Sequence, residues 1–145
     1  MLMKKINVIY WSGTGNTQKM AEAITDGAKL GGAETKLLEV GEATIMDVLD
    51  ADAVALGCPS MGCEILEEEE MEPFVNAFER EGLVDKTLAL FGSYDWGDGQ
   101  WMRDWEARMK AAGANLLEEG LIIQNTPDDS GLQKCAKLGQ KLSEA

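Results

Sequence analysis

Ile6-Asn7-Val8-Ile9-Tyr10-Trp11 runs directly into Ser12-Gly13-Thr14-Gly15-Asn16-Thr17, and the reading of this passage decides the fold. The first half is an apolar run rich in β-branched side chains, the mark of a buried strand, and the second half is a polar, glycine-bearing turn. Met20, Ala23, Ile24 and Gly27 then follow at three- and four-residue steps, which places them on one helix face, and Gly31-Gly32 supplies the stop. Strand, tight loop and helix in that order open a βαβ unit.

Outward from this unit the alternation continues. Thr35 to Val40 reads as a second strand, and Thr44 to Leu49 as a short helix with Ile45, Val48 and Leu49 on one side. Ala53 to Gly57 is a compact third strand that ends at Cys58-Pro59, where proline disfavours continuation. Pro73 suits the first turn of a helix, or a kink in one, that carries Phe74, Val75 and Phe78 inward. Thr87 to Gly92 is a fourth strand, Trp101, Met102, Trp105 and Met109 mark a helix face, and Asn115 to Ile123 is a fifth strand. A turn at Asn125 to Asp129 precedes a final helix with Leu132, Cys135, Gly139 and Leu142 on its core side. Five strands separated by helices predict a parallel sheet with helices on both faces. With no linker or repeat, residues 1–145 are expected to form one domain. The irregular loops that begin near Ser12, Pro59 and Ser93 all follow strands. They share the carboxyl edge of such a sheet, where a reversal of strand order opens a ligand crevice.

Composition excludes several classes of function. Thirteen Lys plus Arg stand against 26 Asp plus Glu, a formal net charge of −13, and His is absent. Nucleic acid and anionic membrane surfaces are disfavoured as partners and basic proteins are favoured. Without His the usual triads and most zinc sites are gone. Three cysteines (Cys58, Cys63, Cys135) with no paired metal-ligand spacing, and no signal-peptide pattern at the start, fit a reducing cytoplasm. No apolar stretch is long enough to span a bilayer, so a soluble protein without membrane insertion is expected.

The loops carry the chemistry. Ser12 to Thr17 offers hydroxyls, an amide and backbone N–H groups at the start of a helix, a setting that suits phosphate; as a sequence it is equally a glycine-rich turn with a Ser or Thr cap. It lacks the lysine of a nucleoside triphosphate loop and does not match the dinucleotide fingerprint. Pro59 to Glu64 brings Met61, Gly62 and a carboxylate together, and Ser93 to Gly97 supplies Tyr94 and Trp96. Such rings can stack on a planar heterocycle, with Met on its other side and Glu accepting from a ring nitrogen; singly, each is as well read as packing.

Tyr10-Trp11-Ser12-Gly13-Thr14-Gly15-Asn16-Thr17, Gly57-Cys58-Pro59-Ser60-Met61-Gly62 and Phe91-Gly92-Ser93-Tyr94-Asp95-Trp96-Gly97 together resemble the phosphate loop and the two flavin loops of flavodoxins, in particular the short-chain group. The resemblance covers the whole chain. It implies a doubly wound five-stranded parallel sheet in the order 2-1-3-4-5, and non-covalently bound FMN. It further implies that Ser12, Gly13, Thr14, Gly15, Asn16 and Thr17 hold the phosphate. Pro59, Ser60, Met61, Gly62, Cys63, Glu64, Ser93, Tyr94, Trp96 and Gly97 would surround the flavin. In that scheme Met61 covers the inner ring face, Trp96 the outer, and Glu64 accepts from N3. Gly62 turns its peptide so that the carbonyl accepts from N5 of the neutral semiquinone, a turn glycine permits at low steric cost. Cys63 stands where polar or acidic residues are common in the family, and the nearby carboxylates argue against a reactive thiol.

The function this implies is low-potential transfer of single electrons between redox proteins, without a catalytic residue of its own. Glu64, Glu67, Glu68, Glu69, Glu70 and Glu72 lie beside the flavin loop. They are expected to form a patch for partners with basic docking surfaces, or a solvated helix entrance. A monomer is expected. Two alternatives stay open: an FMN-dependent NAD(P)H or quinone reductase, and a cofactor-free interaction or signalling domain.

Overall fold

The computed structural model describes residues 3–61 and 64–145. The elements run β1 (Lys5–Tyr10), α1 (Asn16–Leu30), β2 (Glu34–Glu39), a 3-10 turn (Val40–Glu42), α2 (Ile45–Leu49), β3 (Ala53–Gly57) and α3 (Met71–Glu81). They continue with β4 (Thr87–Tyr94), α4 (Gln100–Ala111), β5 (Asn115–Leu116), β6 (Leu121–Gln124) and α5 (Asp129–Glu144).

The sheet has the order β2-β1-β3-β4-β5, with β6 also paired to β4, and all of these pairings are parallel. The central strand β3 is buried along its whole length, as a strand covered on both faces must be. At the edge, β2 presents Glu34, Lys36 and Glu39 among mostly exposed or half-exposed positions, and such charges deter pairing with another sheet. The expected fifth strand is divided. Leu88 pairs with Leu116 and Phe91 with Leu121, so three steps on β4 face five on the outer chain, and the chain leaves the ladder after the Leu117 N–H bonds to the Leu88 carbonyl, until β6.

Alternation along the strands sends side chains to two cores. Ala53, Ala55, Ala89 and Phe91 meet α1 and α5 through Met20, Ile24, Cys135, Leu138 and Leu142. Val54, Leu56, Leu88 and Leu90 meet α2, α3 and α4 through Val48, Phe74, Phe78, Trp101 and Trp105. The final helix buries Leu138 in addition to Cys135, Gly139 and Leu142, while Leu132 is only half-buried. Asp128 opens this helix by accepting from the Gly131 N–H at 2.8 Å.

Strand order reverses between β1 and β3: the chain moves from β1 outward to β2, then returns past β1 to β3. The segments that leave the ends of β1, β3 and β4 therefore lie along one edge, on either side of this switch point.

Candidate cofactor site

After β1 the backbone turns at once into α1. Ser12 Oγ accepts from the N–H of Gly15 at 3.0 Å and of Gln18 at 3.4 Å, which folds the loop onto the helix start. Gly15 stands before the helix with φ of 96°, in the left-handed region where a side chain would be strained. No side chain of this preceding residue caps α1, and its first turn holds no acidic residue. The positive end of the helix dipole thus faces the loop without a resident negative charge, the condition for taking an anion on neutral donors.

The segment after β3 is a clasp. Met61 and Ile65 exchange N–H···O=C bonds at 3.0 Å in both directions, an isolated antiparallel bridge that brings Glu64 to φ of 55°. Behind it, Cys58 Sγ accepts from the Glu67 N–H at 3.4 Å, and burial pushes this thiol up to about 12, so it stays protonated. The Glu67 carboxylate accepts from the N–H groups of Glu69, Glu70 and Met71 at 2.8, 2.7 and 3.0 Å and fixes the entrance of α3. Burial works to raise the Glu67 carboxyl, but these three backbone donors outweigh it and hold the group below the ordinary glutamate value.

The segment after β4 carries Trp96 into solvent, 62% exposed, while the Tyr94 ring packs beside Trp101 with centroids 5.7 Å apart. Glu64 Oε1 accepts from the N–H of Gly99 and of Gln100, each at 3.1 Å, and so caps α4 from the neighbouring loop. Gly97, with φ of 94°, lies against this carboxyl; a Cβ there would come within 2.5 Å of Glu64 Cδ.

The three segments meet. Ser60 N–H donates to the Ser93 carbonyl at 3.0 Å, and the buried hydroxyls of Thr17 and Ser93 are hydrogen-bonded at 2.8 Å. Gly13, Thr14, Asn16, Pro59, Ser60, Met61, Ser93 and Tyr94 line one cleft of about 170 Å³, joined by Trp11 and Asp95. The sequence pattern assigns no contact to Trp11 or Asp95, and their position inside the motifs is the one signal that singles them out. Ser12, Gly15 and Thr17 build the loop behind the cleft, whereas Glu64, Trp96 and Gly97 stand outside its lining. Gly62 and Cys63 lie outside the described residues. Larger hollows exist, one of about 390 Å³ around Lys5, Lys36 and Asp47 and one of about 360 Å³ beside α4. Neither lies where strand order reverses, and convergent donors identify a site better than volume does.

The six carboxylates from Glu64 to Glu72 do not form one free patch. Glu64 caps α4, Glu67 is buried, Glu70 accepts from Trp11 Nε1 at 3.2 Å, and Glu72 is ion-paired to Arg108. Glu68 and Glu69 extend to the surface with exposed side chains. Beyond the clasp, Asp98 is paired to Arg103.

A doubly wound α/β protein with an anion-receptive helix start and an aromatic rim at its switch point is the class defined by this fold and site. Residues 8–139 match the family model described as Flavodoxin. The chain is similar to the flavodoxin of Clostridium beijerinckii, with 45% identity over 138 residues, 95% of this chain and 99% of the relative. It is 37% identical to the flavodoxin of Megasphaera elsdenii, whose two-electron reduced solution structure superposes with a TM-score of 0.88 over 97% of this chain and 99% of that one. The nitric oxide reductase of Moorella thermoacetica is 35% identical over 133 residues, which span 88% of this chain and 33% of that protein. The chain belongs to the flavodoxin family.

Proposed function

We propose that the chain is a low-potential electron carrier that holds FMN at the carboxyl edge of its sheet and exchanges single electrons with other redox proteins. The observation that carries this reading is the convergence of three segments on Ser93, with an acid-free helix start on one side and Met61 with the exposed Trp96 on the other. The donor set fits the cofactor: hydroxyls and N–H groups suit a phosphate, while Met61, Tyr94 and Trp96 suit a planar ring.

Thr14 and Asn16, with the Gly13 N–H, would bind the phosphate from the cleft lining, while Ser12, Gly15 and Thr17 hold the loop in shape behind them. Met61 and Trp96 cover the two ring faces and exclude water from them. Both bonds to the α4 entrance fall on Glu64 Oε1, and Oε2 of the same carboxylate would accept from a ring N–H. FMN, when bound, supplies the one-electron chemistry that no side chain of the protein has. The surrounding negative charge would oppose further negative charge on a bound ring.

Glu68 and Glu69, beside the clasp, meet basic rims on partner proteins. No helix among the described residues is long and apolar enough to cross a membrane. A monomer in the cytoplasm accords with the charge and the cysteine usage.

Titration of the apoprotein with FMN, followed by stepwise reduction under anaerobic conditions, tests the reading. Saturable quenching of flavin fluorescence, then accumulation of a neutral one-electron-reduced species by absorbance and paramagnetic resonance, is expected. A colourless protein with no FMN uptake would overturn the proposal.

A further inference from the structure

Arg108 lies outside all three segments of the site, yet its guanidinium reaches from α4 to three side chains on α3. Nη1 and Nη2 donate as a fork to Glu72 Oε1 and Oε2 at 2.8 and 2.6 Å, Nε donates to Glu79 Oε2 at 3.0 Å, and Nη2 donates to Asn76 Oδ1 at 2.8 Å. Steps of four and three residues put Glu72, Asn76 and Glu79 on one stripe of α3. The Arg108 side chain is only 25% exposed, so its charge-assisted bonds are far less screened than those of a surface pair. Hydrogen bonding to Glu72, then to Glu79, raises its already high proton affinity, and the charge is permanent.

A second tether crosses between the same parts of the molecule, from Glu64 Oε1 to the N–H groups at the entrance of α4. Arg108 is 108 − 100 = 8 residues beyond Gln100, about 12 Å along the helix axis. Glu64, Glu72 and Arg108 border, together with Leu66, Trp101 and Trp105, a hollow of about 140 Å³. At this hollow the two helices lack direct packing, so the hydrogen bonds add to the core contacts of Phe74, Phe78, Trp101 and Trp105 in fixing their separation. Helix α3 is entered from the clasp that presents Met61, and α4 from the turn that presents Trp96.

We propose that Arg108 is a positioning residue: by locking α3 to α4 it sets the separation of the Met61 and Trp96 segments, and hence their fit to a flavin ring. The proposal rests on the FMN reading above. It also gives Glu72 and Glu79 a role other than docking, since both are committed to the clamp.

The test compares the wild-type protein with Arg108→Lys and Arg108→Met by hydrogen exchange of the apoprotein and by titration with FMN and with riboflavin, which lacks the phosphate. Lysine keeps the charge but has no fork, so both variants lose the geometry. Faster exchange is expected in residues 64–70 and 95–100, remote from the substituted side chain. Affinity should fall about 5- to 20-fold for FMN, and by the same factor for riboflavin, because the loss concerns the ring. Accelerated exchange confined to 72–79 and 104–111, with unchanged flavin affinity, would overturn the proposal and leave Arg108 a local brace. Should Arg108→Met not fold, Arg108→Lys carries the comparison. A wild-type apoprotein that takes up no flavin would refute the FMN reading, and the exchange pattern would still decide whether Arg108 governs the two segments.

Discussion

Thr17 Oγ1 and Ser93 Oγ lie 2.8 Å apart in the interior, a bond that joins the first turn of α1 to the end of β4 across 76 residues of sequence. One hydroxyl donates and the other accepts, so the second proton remains for another acceptor, such as a phosphate oxygen. The Ser93 carbonyl also receives the Ser60 N–H, and this residue is therefore common to all three segments of the site.

Removal of either hydroxyl should leave its buried partner unsatisfied. Thr17→Val and Ser93→Ala should each destabilise the apoprotein by about 1–3 kcal/mol, read by urea unfolding, and the double variant should cost clearly less than the sum. Strictly additive losses would show that the two hydroxyls act independently.

Glu67 predicts an acid dependence. Its folded-state carboxyl is held low by the Met71, Glu69 and Glu70 N–H groups, so the group binds protons more readily in the unfolded chain. Its stabilising contribution is therefore complete above the ordinary glutamate range, near pH ~4.3, and is lost as pH falls through the lower folded value. Glu67→Gln should cost about 1–3 kcal/mol at neutral pH and flatten the decline of stability in acid. An unchanged acid limb in denaturant titrations at several pH values would argue against this role.

Docking should depend on the free carboxylates and not on acidic sequence as such. The Glu68→Gln, Glu69→Gln double variant should slow electron transfer to a basic redox protein about two- to fivefold at low ionic strength, with the difference vanishing at high salt. Stopped-flow rates across a salt series would check this, and equal slopes for variant and wild type would refute it.

Much of the architecture is legible in the local pattern. The β1 to α1 passage, the apolar run of β3 and the helical spacing of Trp101, Trp105 and Met109 each depend on periodicity, which is a property of neighbours in sequence. The glycine-bearing turn at Ser12 to Thr17 is legible too, but the left-handed backbone of Gly15 is seen only in the structure. The break between β5 and β6 is not, since it depends on how residues 115–124 align with β4 and not on their own propensity.

The sequence by itself determined the alternation of strands and helices, the polar, glycine-bearing turn at Ser12 to Thr17 and the positions of the aromatic and acidic segments. Only the tertiary structure decided what each acid does. Glu64, Glu67, Glu70 and Glu72 are one side-chain type within nine consecutive positions, yet they cap α4, secure α3, accept from Trp11 and bind Arg108. The physical reason is that a carboxylate's role is set by the donors around it. Apart from the backbone of Glu67's own segment, those donors come from parts of the chain that only folding brings within hydrogen-bond distance.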